Sequence, residues 1–483
     1  MKEKEKDREN MSVRINLNSL SDQQKALIRE LLFLQPKKTN FMAGKFSFMD
    51  TSQEPVLFYW VDKPNNEIVL PYTFANSLLG YHVNSRLRYP VSKFNFKGTL
   101  RDYQIPLVQT ALQQLREKGT TTLLLGTGAG KSAVSCYLSS VLGGLTLILT
   151  NRSPIQEGWI KTFQELSDAG IWVIQPKIKI PQQCNVIISM DGRIDKIPWE
   201  IRKMVSVLVI DEAHMFSTPS QVSVLLGTAP KYVIACTATL TRPDGMEKMI
   251  QLIAGTHSVE YKIDKHFKVY RLFTGIKTEI VNSKMGTPDW SKLVRDLSMD
   301  PTRNAFIVDL IEKNMDKKIV VLTWSKDHVD LLYNVLKSRN QSVDYLCGNK
   351  SKYVDSRVLL GTISKISTGF DAKNASIDFD GKDIDMLIAA GSTKSHNLHI
   401  QSIGRAFRSE NPVIIDLVDD NRISKSHWSA RKKNYEEMNC EILYVEMHKK
   451  EVIRSSSENS ELSQADVEQM QIARINALRQ KVA

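Results

Sequence analysis

The sequence holds 483 residues, 42% of them hydrophobic and 24% charged, with a formal net charge of +12. That length exceeds what one hydrophobic core organises, so two or three domains are expected, and no run approaches the ~20 apolar residues of a membrane helix. The basic excess suits a polyanion such as nucleic acid, because phosphate neutralisation supplies most sequence-independent affinity, although a solvated lysine-rich surface gives the same count.

The opening "MKEKEKDREN" is a charge run without the apolar core of a signal peptide, so residues 1 to about 10 are expected to be disordered. Residues 1–95 read as an N-terminal accessory domain. "SLSDQQKALIRELLFL" is helical in pattern, with Ser19 or Ser21 as its cap, and "EPVLFYWV" and "EIVLPY" read as strands joined by "DKPNN". From 96 to 265 short apolar runs alternate with helical segments. "TTLLLG", "LTLILT", "CNVIIS", "SVLVID" and "YVIACT" have the β-branched content of strands buried on both faces, and this alternation implies a parallel sheet. The pattern weakens over 266–300, which reads as a linker. It resumes over 301–445 with "KIVVLTW", "VDYLCG", "RVLLGT", "DMLIAAG" and "PVIIDLV", a second domain of the same kind. Residues 446–483 read as a polar linker, "RSSSENSELS", and a terminal amphipathic helix, "SQADVEQMQIARINALRQKV". The five cysteines stand singly, without a C-x-x-C pair, which argues against zinc ribbons and disulfides and suggests a reducing compartment.

Two stretches carry chemistry. "LLLGTGAGKSAVSCYL" follows a strand and opens a helix, as a phosphate cradle requires, although Leu125 stands where the common pattern has its first Gly. Gly126, Gly128 and Gly130 let successive N–H groups turn inward, Lys131 reaches phosphate, and Ser132 can ligate Mg²⁺; a tight turn with an exposed lysine is the alternative. "VLVIDEAH" runs off an apolar strand into Asp211-Glu212-Ala213-His214. Carboxylates at the carboxyl end of such a strand sit where ligands bind, Asp211 to hold Mg²⁺ and Glu212 to deprotonate water; capping of the next helix is the bland reading.

A P-loop followed by a DEAH box resembles the superfamily 2 helicases, and their remaining motifs appear in order over roughly 310 residues. "LRDYQ" resembles the adenine-recognition element, which implies Arg101 and Gln104 near the base. "LILTNRSPIQEGW" resembles motif Ia and "CTATLT" motif III. "VLLGTISKISTGFD" resembles motif V and "QSIGRAFR" motif VI. The resemblance implies an α/β fold of two tandem RecA-like parallel-sheet domains, with a small α+β N-terminal domain and a C-terminal helical tail. It implies a catalytic set of Lys131, Asp211, Glu212, Gln401, Arg405 and Arg408, the two arginines acting as fingers on the γ-phosphate. Nucleotide contacts would come from Arg101, Gln104, Gly126, Thr127, Gly128, Ala129, Gly130, Lys131, Ser132, Gly369 and Asp371, beside Thr368. Ser132 and Asp211 would hold the metal, while His214, Thr237 and Thr239 would couple hydrolysis to movement. Thr150, Arg152, Thr362 and Ser364 would touch the nucleic-acid backbone. Trp159 and Phe407 read as core packing.

"ATLTRPDGMEKMIQLI" narrows the resemblance to the branch holding promoter-opening, phage recombination and large nucleocytoplasmic DNA virus helicases. Arg242-Pro243-Asp244 departs from the Arg-Glu-Asp of the promoter-opening enzymes and resembles the viral, poxvirus-type group. "IIDLVDDNRISKSHWSARKKNYEEMNCEI" resembles the branch's ending, a strand and then His427, Arg431 and Tyr435 on a helix. The leading expectation is therefore an ATP- and Mg²⁺-dependent DNA translocase in viral transcript release, intracellular, in host cytoplasm or virion, with RNA polymerase subunits as partners and neither membrane nor zinc. A recombination or repair helicase, an RNA helicase and a polymerase-bound scaffold without hydrolysis are the alternatives.

Overall fold

The computed structural model describes residues 13–36, 55–80 and 89–454, apart from 127, 176–180, 182, 217, 219–220, 222–223, 239–244, 262–265, 284–285, 368–369, 371, 406–408, 410, 439 and 448–452, and the side chains at 154, 373, 374, 397, 453 and 454. Two units, Met1–Lys262 and Ile263–Ala483, are each described by themselves. Among the described residues no helix is long and apolar enough to cross a membrane. The expected terminal helix within 446–483 lies outside the described residues.

The first unit begins with antiparallel strands β1 (Val13–Asn16) and β2 (Trp60–Asp62) on either side of β3 (Glu67–Leu70). Helix α1 (Asp22–Leu31) is capped by Ser21 rather than Ser19, because Ser21 and Gln24 satisfy each other's backbone N–H at 3.2 and 2.9 Å. "EIVLPY" is only partly a strand. Pro71 has no N–H for a ladder, and helix α2 (Tyr72–Leu79) starts directly after it. This region packs its apolar face directly on the sheet that follows it. Its strands and α1 are too small to bury their apolar face alone, so Val13, Ile28, Phe58 and Leu70 share one hydrophobic cluster with Leu147, Leu208 and Ile253. Two hydroxyls tie the seam: Tyr72 donates to the Lys231 carbonyl at 2.7 Å, and half-buried Thr73 to that of Ile253 at 2.6 Å.

The rest of the unit is a seven-stranded parallel sheet: β4 (Thr120–Leu125), β5 (Thr146–Thr150), β6 (Ile171–Val173), β7 (Val186–Met190), β8 (Val207–Asp211), β9 (Tyr232–Thr237) and β10 (Ser258–Tyr261), in the order β10-β4-β9-β8-β5-β7-β6. Helices α3 (Gln104–Lys118), α4 (Lys131–Leu142), α5 (Ser153–Leu166) and α6 (Lys248–Ala254) connect it. The five central strands are those the apolar runs marked. The two edge strands were not marked, since an edge is buried less completely and Ser258 or Glu260 can face water.

The second unit holds β11 (Lys268–Phe273), helices α7 (Trp290–Met299) and α8 (Pro301–Lys313), β12 (Ile319–Thr323), α9 (Lys326–Ser338), β13 (Val343–Leu346), β14 (Val358–Thr362), β15 (Met386–Ala389), α10 (His396–Ile403), β16 (Val413–Val418), α11 (Arg422–Glu437), β17 (Glu441–Glu446) and β18 (Ile453–Arg454). Its sheet runs β13-β14-β12-β15-β16-β11-β17-β18, parallel except for β18. The expected linker over 266–300 is corrected here. β11 is an interior strand, disguised because Lys268 and Arg271 interrupt its apolar pattern. Arg271 keeps its guanidinium 4.8 Å from the Phe273 ring centre, over an aromatic surface that accommodates the charge.

Candidate functional site

In the first unit the carboxyl ends of β4, β9 and β8 lie side by side. The parallel register sets Asp211 opposite Cys236 and Thr237 opposite Leu124, so the glycine loop after β4 and the acid pair after β8 emerge at one level. Gly128 and Gly130 take φ of 85° and 82°, a region that costs a side chain strain, and Gly130 hands the chain into α4. A Cβ at Gly130 would collide with the side-chain amide of Gln104. That amide braces the loop: Nε2 donates to the Ala129 carbonyl at 3.0 Å, while Oε1 accepts from Arg101 N at 2.9 Å. Arg101 itself is exposed, with Nη1 3.5 Å from the Gly128 carbonyl. Gln104, expected near the base, is thus buried against the loop backbone.

Lys131 opens α4 and turns back, its Nζ 3.4 Å from the Leu125 carbonyl and 3.8 Å from Glu212 Oε1. Ser132 follows on the same half-buried turn. Asp211 is buried, and each of its oxygens has a donor: Glu212 N at 2.9 Å to Oδ1, and the Trp159 indole at 2.6 Å to Oδ2. Burial, and then the charge of Glu212, push its carboxyl up to about 6 against the pull of Lys131. Glu212 adopts φ 46°, which a non-glycine residue holds only where its surroundings enforce it. Its buried Oε2 has no hydrogen-bond donor among the described residues and lies 3.4 Å from Nδ1 of His214. His214 in turn meets the Thr237 hydroxyl at 2.9 Å, linking the acid pair to β9. Thr127 and Thr239 lie outside the described residues.

Of the expected strand contacts, Thr150 is corrected. It is wholly buried at the end of β5, its hydroxyl turned to the Ser189 carbonyl at 3.5 Å, because Thr150 is the last residue of a strand covered on both faces. Arg152 is exposed at the start of α5, as is Ser364 after β14, with Thr362 half-buried beside it.

In the second unit Gln401 is buried on α10, and Arg405, half-buried after it, donates to the Ser367 carbonyl at 2.8 Å. Helix α10 is fastened to α11, where Asn434 bonds both His399 at 2.9 Å and His396 at 2.7 Å. Arg431 makes a bidentate pair with Asp416 at 2.6 and 2.8 Å, and Tyr435 donates to the same carboxylate at 3.0 Å. These residues support the helix that leads to the motif VI arginines. Arg408, Thr368, Gly369 and Asp371 lie outside the described residues.

Residue-by-residue reading missed the indole bond from Trp159. It also missed Tyr261, whose ring stacks on Tyr103 at 4.3 Å and whose carbonyl faces Gly126 N at 3.4 Å. No local pattern announces either contact, since both join segments far apart in sequence.

Residues 97–242 match the family described as the type III restriction enzyme res subunit. The chain is 27% identical over 402 residues to the helicase-named protein 161L of Invertebrate iridescent virus 6, covering 77% of this chain and 88% of that one. It is 26% identical over 446 residues to protein L396 of Acanthamoeba polyphaga mimivirus, named an ATP-dependent RNA helicase, covering 87% and 83%. Among solved structures, a variant of Saccharomyces cerevisiae Dbp5 bound to RNA and ADP BeF3 matches with a TM-score of 0.50 and 16% identity, over 71% of this chain and 89% of that one, a likeness of fold alone.

Proposed function

We propose that this chain, a superfamily 2 helicase of the nucleocytoplasmic large DNA virus type that hydrolyses ATP on two tandem RecA-like domains, has its hydrolysis site at the loop Gly126–Ser132 with Asp211 and Glu212. One observation carries this reading: the Lys131 ammonium stands 3.8 Å from Glu212 at strand ends shared with the glycine loop. Backbone N–H groups and the start of α4 favour the phosphates of ATP, and the ammonium of Lys131 neutralises the β- and γ-phosphates. Oε2 of Glu212, which has no hydrogen-bond donor among the described residues, is the base for the attacking water, and His214 with Thr237 passes a change at Glu212 to β9.

One buried carboxylate, with the Ser132 hydroxyl supplied by the helix after the glycine loop, would suit Mg²⁺, which keeps water and takes further ligands from phosphate; among the described residues no cluster of three metal-ligating acids, histidines or cysteines stands here. When bound, the metal neutralises charge on the transferring phosphoryl group. Arg101, exposed beside the loop, serves the base side of the nucleotide, while Gln104 braces the loop from behind. Gln401, Arg405, Arg408, Thr368, Gly369 and Asp371 complete the set on the strength of motifs V and VI. Thr239 joins the coupling pair.

The substrate of movement is DNA, a reading supported by the likeness to a restriction-enzyme subunit and by the +12 charge. Arg152, Thr362 and Ser364 grip phosphates without reading bases. A second reading, movement on RNA, is favoured by the name of L396. The role is viral transcript release beside RNA polymerase subunits, supported by the run from Arg242 to Met246; recombination is the alternative. Steady-state ATPase with single-stranded DNA, duplex DNA and RNA separates these substrates. Stimulation by RNA alone overturns the DNA reading, and negligible turnover with all three overturns the motor. Lys131→Ala and Arg408→Ala each abolish stimulated turnover if the site is correct. Co-purification with recombination factors instead of polymerase subunits overturns the transcription role.

A further inference from the structure

Trp159 lies wholly inside the first unit, 1% exposed, and its ring packs at a tilt against Phe163. Packing alone does not explain where its N–H points. A buried indole is satisfied by any carbonyl, yet this one donates at 2.6 Å to Oδ2 of Asp211, a carboxylate whose burial is itself costly. Together with Glu212 N on Oδ1, the indole pins both oxygens, so the carboxylate plane cannot turn and its remaining lone pairs point in fixed directions. The helix that delivers the indole, α5, begins directly after Arg152, which is exposed. Arg152 is the residue before the helix, and Trp159 stands about two turns, ~10 Å, into it.

We infer that Trp159 is a positioning residue that aims the metal-binding oxygens of Asp211, and that α5 makes this aim sensitive to nucleic acid held at Arg152. The inference rests on the reading of Asp211 as a metal ligand. It adds a residue that turns a passive core contact into a link between strand and metal.

The probe is Mn²⁺, with free ion followed by electron paramagnetic resonance in the presence of ADP. Trp159→Phe keeps the ring and removes the N–H, and is expected to weaken Mn²⁺ binding roughly tenfold. It should also flatten the stimulation of ATP turnover by DNA. Trp172→Phe is the control, a second buried indole whose N–H has no partner among the described residues; it should leave the Mn²⁺ isotherm unchanged. Equal isotherms for the two variants overturn the inference. Asp211→Asn distinguishes its failure from that of the underlying reading: undiminished Mn²⁺ binding in that variant removes Asp211 as a ligand. Should Trp159→Phe not fold, the unsubstituted chain labelled with ¹⁵N-indole decides. One of its seven tryptophan resonances should be broadened by Mn²⁺–ADP and displaced in Asp211→Asn, and the absence of such a resonance overturns the inference.

Discussion

The ammonium of Lys131 and the carboxylate of Glu212 form an ion pair, 3.8 Å from Nζ to Oε1, between segments that leave the sheet two strands apart. Glu212 reaches it only by holding φ at 46°. Glu212→Gln is expected to lower kcat by about 10²–10⁴ while leaving equilibrium ATP binding nearly intact, which single-turnover and binding measurements separate. Glu212→Gly should be equally inactive yet melt higher than Glu212→Gln, because glycine meets that φ without strain costing on the order of 1 kcal/mol.

Gly130 is constrained twice, by φ of 82° and by the Gln104 amide against its Cα. Gly130→Ala should therefore lose nucleotide affinity at least tenfold in a fluorescent-ATP titration. Adding Gln104→Ala removes the collision but not the strained φ, so the double variant should recover only part of that loss. Full recovery would show that the collision alone matters.

The pair of Arg431 and Asp416 is wholly buried. Arg431→Met strands a carboxylate whose remaining neighbour is the Tyr435 hydroxyl, so the second unit should lose about 3–5 kcal/mol in urea unfolding. The first unit's transition should stay where it is. Because α11 holds α10 through Asn434, stimulated ATP turnover should fall in the same variant at temperatures below its unfolding.

Acid should loosen the second unit. Burial, then the charge of Arg303, pushes His328 down to about 3, and burial with Arg431 and His396 holds His399 well below its ordinary value. An unfolded histidine takes a proton near pH 6.5 that these folded ones refuse. Their stabilisation is thus complete above about pH 6.5 and shrinks as pH falls toward the folded values, by up to about 1.4 kcal/mol per pH unit for each group. Urea midpoints from pH 7.5 to 4.5 measure this, and His328→Gln should show the shallower slope.

Most of the sheet architecture was readable because strands buried on both faces must be apolar end to end, as Leu147–Leu149 and Val207–Ile210 are. The glycine loop and the acid pair stood out in the sequence because the chemistry proposed for them requires particular residues at fixed spacing. Ser258–Tyr261 escaped because an edge strand needs no apolar run, and Lys268–Phe273 because Arg271 spends its charge on aromatic faces. Thr150 misled for a related reason. Its position in the motif said loop, whereas the pairing of Thr150 with Met190 keeps it inside the sheet. The bond between Trp159 and Asp211 joins residues 52 apart, beyond anything spacing encodes.

The place of Lys268–Phe273 in its sheet also dictates a timetable for synthesis. It leaves the ribosome before any other strand of its unit, yet both of its neighbours, Val413–Val418 and Glu441–Glu446, emerge late, followed only by the two-residue strand Ile453–Arg454. The first unit can zip up as it is translated, ending with a border strand laid beside a finished one. The second must keep an unpaired ribbon, two of its six residues aromatic, waiting until most of the chain is out, so a nascent chain stalled near residue 410 exposes the kind of naked backbone edge that recruits chaperones or aggregates.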